Sequence, residues 1–144
     1  AASNYEWSLG LSNHKTFCKS VDIPEVGRKS MWYRGPSATV QMELTDAGRK
    51  VLGDKNGVFD VRYHNGPIMS PMGKEGLGAF RALAHFRSEV SRYKPQKGTM
   101  VGTPAIIAAE YGKGRVLCIS PHPESSVALH EMVRRGLFWA GDRK

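Results

Sequence analysis

Two apolar runs, Pro104 to Glu110 (PAIIAAE) and Arg115 to Ser120 (RVLCIS), are separated only by Tyr111-Gly112-Lys113-Gly114. A glycine-containing link that short makes them a hairpin. Ser120-Pro121-His122-Pro123-Glu124 comes next, and then a helical pattern. Val127, Leu129, Met132, Val133, Gly136, Leu137 and Ala140 follow that spacing, with one apolar residue off the face. Ser125 or Ser126 suits its cap, and Glu124 places a negative charge at its start. Strands followed by a covering helix predict an α/β layer domain.

Further strands are expected upstream. In Ala38 to Thr45, Val40, Met42 and Leu44 alternate with Gln41, Glu43 and Thr45. Thr45 to Gly53 reads as a short helical turn ended by glycine. Val58 to His64 is rich in β-forming residues and runs into the turn signal Asn65-Gly66-Pro67. Residues 79–90 fit both helical and alternating patterns, and the glycines just before them favour a strand. Residues 1–12 read as the end of an element, a helix running into a loop. Residues 19–37 carry two prolines and two glycines and read as irregular, with Trp32 and Tyr33 over a core edge.

At 144 residues the chain fits one domain, 1–144, with no internal repeat and no linker. It lacks an apolar run near the roughly 20 residues that span a bilayer, so no membrane partner is expected. Its opening Ala1-Ala2-Ser3-Asn4-Tyr5 is not a signal peptide and has no initiator methionine, so residue 1 is not expected to be the natural start. Two cysteines, Cys18 and Cys118, make no disulfide framework, and free thiols in a reducing, cytoplasmic setting are expected. No metal-ligand spacing or cofactor motif appears, so neither a metal nor a cofactor is expected. The net charge of +8 makes a polyanion a candidate partner. The basic residues are scattered, however, and no nucleic-acid motif accompanies them, so a nucleic acid is not the favoured partner.

The chemistry concentrates at His122 and Glu124. Histidine titrates near neutrality and can take a proton from a thiol or hydroxyl. A nearby carboxylate fixes its tautomer and stabilises its charged form. In extended chain, residues two apart point to the same side. Prolines on both sides of His122 restrict the backbone and remove two donors. The plainer alternative is a strand-exit histidine followed by an ordinary helix-start carboxylate. Tyr63 and Asn65 lie where they can contact a ligand at the sheet edge; equally, Asn65-Gly66 is a turn and Tyr63 is core.

Gly112 to Val116, leading into Ser120-Pro121-His122-Pro123-Glu124, resembles the closing hairpin of class I glutamine amidotransferase-like domains. The nearest likeness is to the amidotransferase-like N-terminal domain of fungal-type biotin–protein ligases and its stand-alone relatives. Tyr63 to Pro67 resembles their tyrosine-asparagine-glycine segment. Ala82-Leu83-Ala84 and Pro104 to Ile107 resemble their next two strands, and Tyr5-Glu6-Trp7 the stretch past their nucleophile. The resemblance implies a flavodoxin-like sheet with flanking helices, of which this chain matches the C-terminal part. It also implies a Cys-His-Glu triad with His122 as general base, Glu124 as its orienting carboxylate and a small-molecule amide as substrate.

The triad cysteine would precede Tyr5-Glu6-Trp7, so the chain is expected to lack the nucleophile segment and to be inactive as it stands. Cys18 has no glycine elbow around it. Cys118 sits in an apolar strand and reads as core. Ser125 and Ser126 read as caps. The rival class is non-enzymatic: a basic module that binds an anionic partner or regulates another protein. A sheet without its first strands would also expose an edge, so self-association through that edge is expected.

Overall fold

The computed structural model describes residues 11–14, 20–23, 25, 27–30, 37–64, 66, 68–71, 79–90 and 100–142. Three short strands come first: β1 (Leu11–His14), β2 (Ser20–Ile23) and β3 (Gly27–Ser30). They are followed by β4 (Ala38–Leu44), α1 (Asp46–Leu52), β5 (Val58–Tyr63) and β6 (Ile68–Pro71). The rest comprises β7 (Arg81–Phe86), β8 (Pro104–Tyr111), β9 (Gly114–Ile119) and α2 (His130–Gly141). The fold is mixed α/β, and its main sheet has five strands in the order β5-β4-β7-β8-β9. Each pairing in that sheet is antiparallel. Two further antiparallel pairs are formed by β1 with β6 and by β2 with β3.

β4 shows why this sequence forms this sheet. Its alternation buries Val40, Met42 and Leu44 and leaves Thr39 and Gln41 exposed. Burying each such apolar side chain contributes about 1.5–3 kcal/mol. Thr45 ends the strand and starts α1. Its Oγ1 accepts from the Gly48 N–H at 3.0 Å and donates to the Ala82 carbonyl at 2.8 Å. Its own N–H reaches the Leu83 carbonyl at 2.9 Å, so the helix cap is bonded to β7. Gly48 lets α1 lie directly on that strand, since a Cβ there would stand 2.8 Å from the Leu83 carbonyl carbon. Gly53, with φ of 102°, closes the helix.

β8 is buried on both faces. Ile106 and Ala108 join the core under the helices, with Val40, Met42, Leu83, Phe86, Leu129 and Met132. Ile107 and Ala109 join Met69, Phe80, Val116 and Cys118 in a second cluster. The β8–β9 turn carries Gly112 at φ of 57°, a glycine at the first central position of a two-residue hairpin link. Arg115 fastens α2 to β9: it donates to the Trp139 carbonyl at 2.9 Å and lies over the Trp139 ring.

Several expectations are corrected. Residues 19–37 are not wholly irregular, because β2 and β3 pair there, with Glu25 and Gly27 at positive φ. Residues 11 and 12 belong to a strand, not a helix end, and its partner β6 lies 54 to 60 residues away, out of reach of any local pattern. Residues 1–10 and Trp32 and Tyr33 lie outside the described residues. The last helix starts at His130, after two 3₁₀ turns, Pro123–Ser125 and Val127–Leu129, and neither Ser125 nor Ser126 caps anything with its side chain. The 3₁₀ turns advance at three residues per turn, so a face extrapolated at 3.6 misplaces Val127, which is 84% exposed. Leu137 is also exposed, because it lies five residues, about 140°, around from buried Met132.

Candidate functional site at the sheet-closing turn

The main sheet is curled, and the chain leaving β9 crosses from β8 to the far edge strand, β5. The Ser120 N–H donates to the Ala105 carbonyl at 3.0 Å. Two residues on, the His122 N–H donates to the Arg62 carbonyl at 2.7 Å, an isolated antiparallel bridge. Ser120, Pro121 and Pro123 are buried, while the His122 side chain is 34% and that of Glu124 57% exposed. The φ of His122 is −118°, within the range a following proline imposes. The prolines thus wedge the crossing segment inward and leave the two polar side chains outside.

His122 Nδ1 lies 2.8 Å from Glu124 Oε1. The sequence placed both side chains on one side of an extended strand; they meet instead because Pro123–Ser125 folds into a 3₁₀ turn and brings Glu124 back. With Nδ1–H donating to the carboxylate, the lone pair is on Nε2. Among the described residues no hydrogen-bond partner faces Nε2. That is the tautomer a general base needs.

Burial alone would raise the pKa of Glu124. The hydrogen bond from His122, its own backbone N–H and the charges of Arg62 and, when protonated, of His122 outweigh burial and hold the carboxyl below its ordinary value. It is therefore ionised at neutral pH. His130 Nε2 sits 3.0 Å from the Glu124 carbonyl, at the start of α2.

Of the other residues singled out in the sequence, Tyr63 is fully buried. Its ring packs edge-on against Phe86 with centroids 6.1 Å apart, and its hydroxyl donates to the Gly66 carbonyl at 2.5 Å. It therefore packs into the core and braces the turn. Asn65 and Cys18 lie outside the described residues. Cys118 is in the second cluster, across the sheet from the helices, and burial pushes its thiol up to about 11. A protonated thiol inside a strand is not a nucleophile at neutral pH. The Ser125 hydroxyl accepts from Arg62 Nη1 at 3.0 Å.

Sequence reasoning missed Arg62, Ser37 and His130. The alternation of β5 does put Arg62 on the solvent face, between buried Val61 and Tyr63. No local signal ties it to residues about sixty positions later.

Among the described residues no three His, Cys, Asp or Glu side chains form a metal-binding group, and no helix is long and apolar enough to cross a membrane. Two surface concavities lie elsewhere. One, of about 480 Å³, is lined by Leu137, Phe138, Trp139, Gly141 and Asp142; the other, of about 200 Å³, surrounds the β8–β9 turn. His122 and Glu124 line neither. Compared with known proteins, the chain matches no family model, no curated protein and no solved structure.

Proposed function

We propose that His122 and Glu124 are the general-base half of a Cys-His-Glu amidohydrolase or amidotransferase site. On this reading the five-stranded sheet and its helices are the C-terminal part of a flavodoxin-like, class I amidotransferase-type domain. The carrying observation is the 2.8 Å contact from Nδ1 to Glu124, with no partner on Nε2 among the described residues. A cysteine thiol from outside the described residues would give its proton to Nε2 and attack the carbonyl carbon of a small amide. Imidazolium would return that proton to the departing amine, and water would release the acyl group. The described main sheet is antiparallel throughout, so on this reading it holds none of the parallel centre of such a domain.

Ammonia release from glutamine and other primary amides by the full-length gene product tests the proposal. His122→Ala is expected to lower turnover by on the order of 10²–10⁴-fold. Turnover that is indifferent to His122→Ala, or no turnover on any amide, refutes it.

One observation favours a non-enzymatic reading, a basic module that binds an anionic partner. Leu137 and Phe138 are 67% and 66% exposed on the outer face of α2. Arg134 and Arg135 beside them share the single carboxylate of Glu131, so among the described residues one positive charge there has no acidic partner of its own. An acidic peptide with apolar residues complements that face. Its binding is expected to weaken with salt and with Phe138→Ala.

A further inference from the structure

We propose that Arg62 is the positioning residue of the His122–Glu124 pair, one residue that clamps both ends of the turn on which the pair stands. The inference rests on the general-base reading above.

The buried prolines and the contact of His130 Nε2 with the Glu124 carbonyl hold the backbone of the turn. It is a three-residue 3₁₀ turn with no side-chain cap. Both side chains of the pair are substantially exposed, so core packing does not set their relative position. Arg62 supplies the constraint at two points. Its backbone carbonyl accepts from the His122 N–H at 2.7 Å, at the start of the turn. Its Nη1 donates to Ser125 Oγ at 3.0 Å, at the end. The guanidinium is itself anchored, since Nε donates to Ser37 Oγ at 2.6 Å, next to β4. Glu124 thus sits on a segment whose two flanking residues are bonded to one residue of β5.

The side-chain chemistry suits the task. A guanidinium is a planar fork whose Nε and Nη1 can reach two hydroxyls in fixed directions. Lysine offers one mobile point charge and cannot hold both serines in that geometry. The charge has a separate effect, because Arg62 also favours the ionised form of Glu124. Positioning and charge can therefore be tested apart, with Arg62→Lys keeping only the charge and Arg62→Gln neither.

The experiment is two-bond 1H–15N correlation spectroscopy of the histidine rings in the intact chain, which reads the tautomer of His122. The wild type is expected to hold the Nδ1–H form. Arg62→Gln and Arg62→Lys are both expected to lower the ratio of Nδ1–H to Nε2–H on the order of tenfold, the worth of about one hydrogen bond. Backbone amide spectra away from the turn should stay unchanged. The carboxyl 13C titration of Glu124 should move up in Arg62→Gln and stay near the wild type in Arg62→Lys. Ser125→Ala, which leaves the charge in place, is expected to lower the tautomer ratio in the same sense. A wild-type tautomer ratio in both Arg62 variants overturns the proposal. A wild type that lacks the Nδ1–H form overturns the general-base reading instead, so the two failures are distinct.

Discussion

Gly66→Ala probes the link between the fold and the site. Gly66 follows β5, and its carbonyl is held by the Tyr63 hydroxyl at 2.5 Å. A Cβ at this position would overlap the Ser120 carbonyl oxygen and stand 2.5 Å from Ser120 Oγ and 3.0 Å from its carbonyl carbon. Relieving that overlap requires a movement of roughly 1 Å, because nonbonded carbons settle only at about 3.5–4.0 Å. Two bonds flank the displaced carbonyl: Ser120 N–H to Ala105 at 3.0 Å and His122 N–H to Arg62 at 2.7 Å. If the crossing segment moves, either bond is stretched past bonding distance. If the Gly66 turn moves instead, the buried Tyr63 hydroxyl loses its acceptor there.

Overpacking costs about 1–3 kcal/mol. Each lost hydrogen bond adds about 1 kcal/mol. A loss of roughly 2–4 kcal/mol is therefore expected in equilibrium urea unfolding. Faster amide exchange at His122 would identify the crossing segment as the part that yields. The reasoning fails if Gly66→Ala unfolds within about 0.5 kcal/mol of wild type, the range of an ordinary surface substitution.

Two further predictions concern other parts of the molecule. Thr45→Ala removes the cap of α1 and its bond to β7, and should lower stability by about 1–2 kcal/mol in the same unfolding assay; an unchanged midpoint would deny Thr45 its double role. Cys118, pushed up to about 11 by burial, should resist alkylation at pH 8 in the native protein, react faster only as the pH climbs toward that value, and react readily in urea. Peptide mapping keeps it apart from Cys18, and rapid native labelling of Cys118 would contradict its place in the second cluster.

Local patterns revealed much of the fold. The alternation of Val40, Met42 and Leu44 placed one face of β4 inside, and the glycine link placed β8 beside β9. Thr45 and Gly53 bounded α1 as read. Two of the misses have physical causes that local spacing does not carry. β1 is made by pairing with residues far along the chain, and the outward turn of Val127 follows from a change in helical pitch. Neither leaves a periodic trace.

The same division runs through the site. The spacing of His122 and Glu124 and the prolines around them were determined by sequence, because adjacency in the chain brings such residues close in any fold. That the carboxylate faces Nδ1 was decided by the 3₁₀ turn. Only the curled sheet brought Arg62 and Ser37 to that turn, through contacts between residues 25 to 63 positions apart. Side-chain type is a property of the chain, but the orientation of a side chain depends on what packs and bonds around it. In this protein those bonds come from the opposite edge of the sheet.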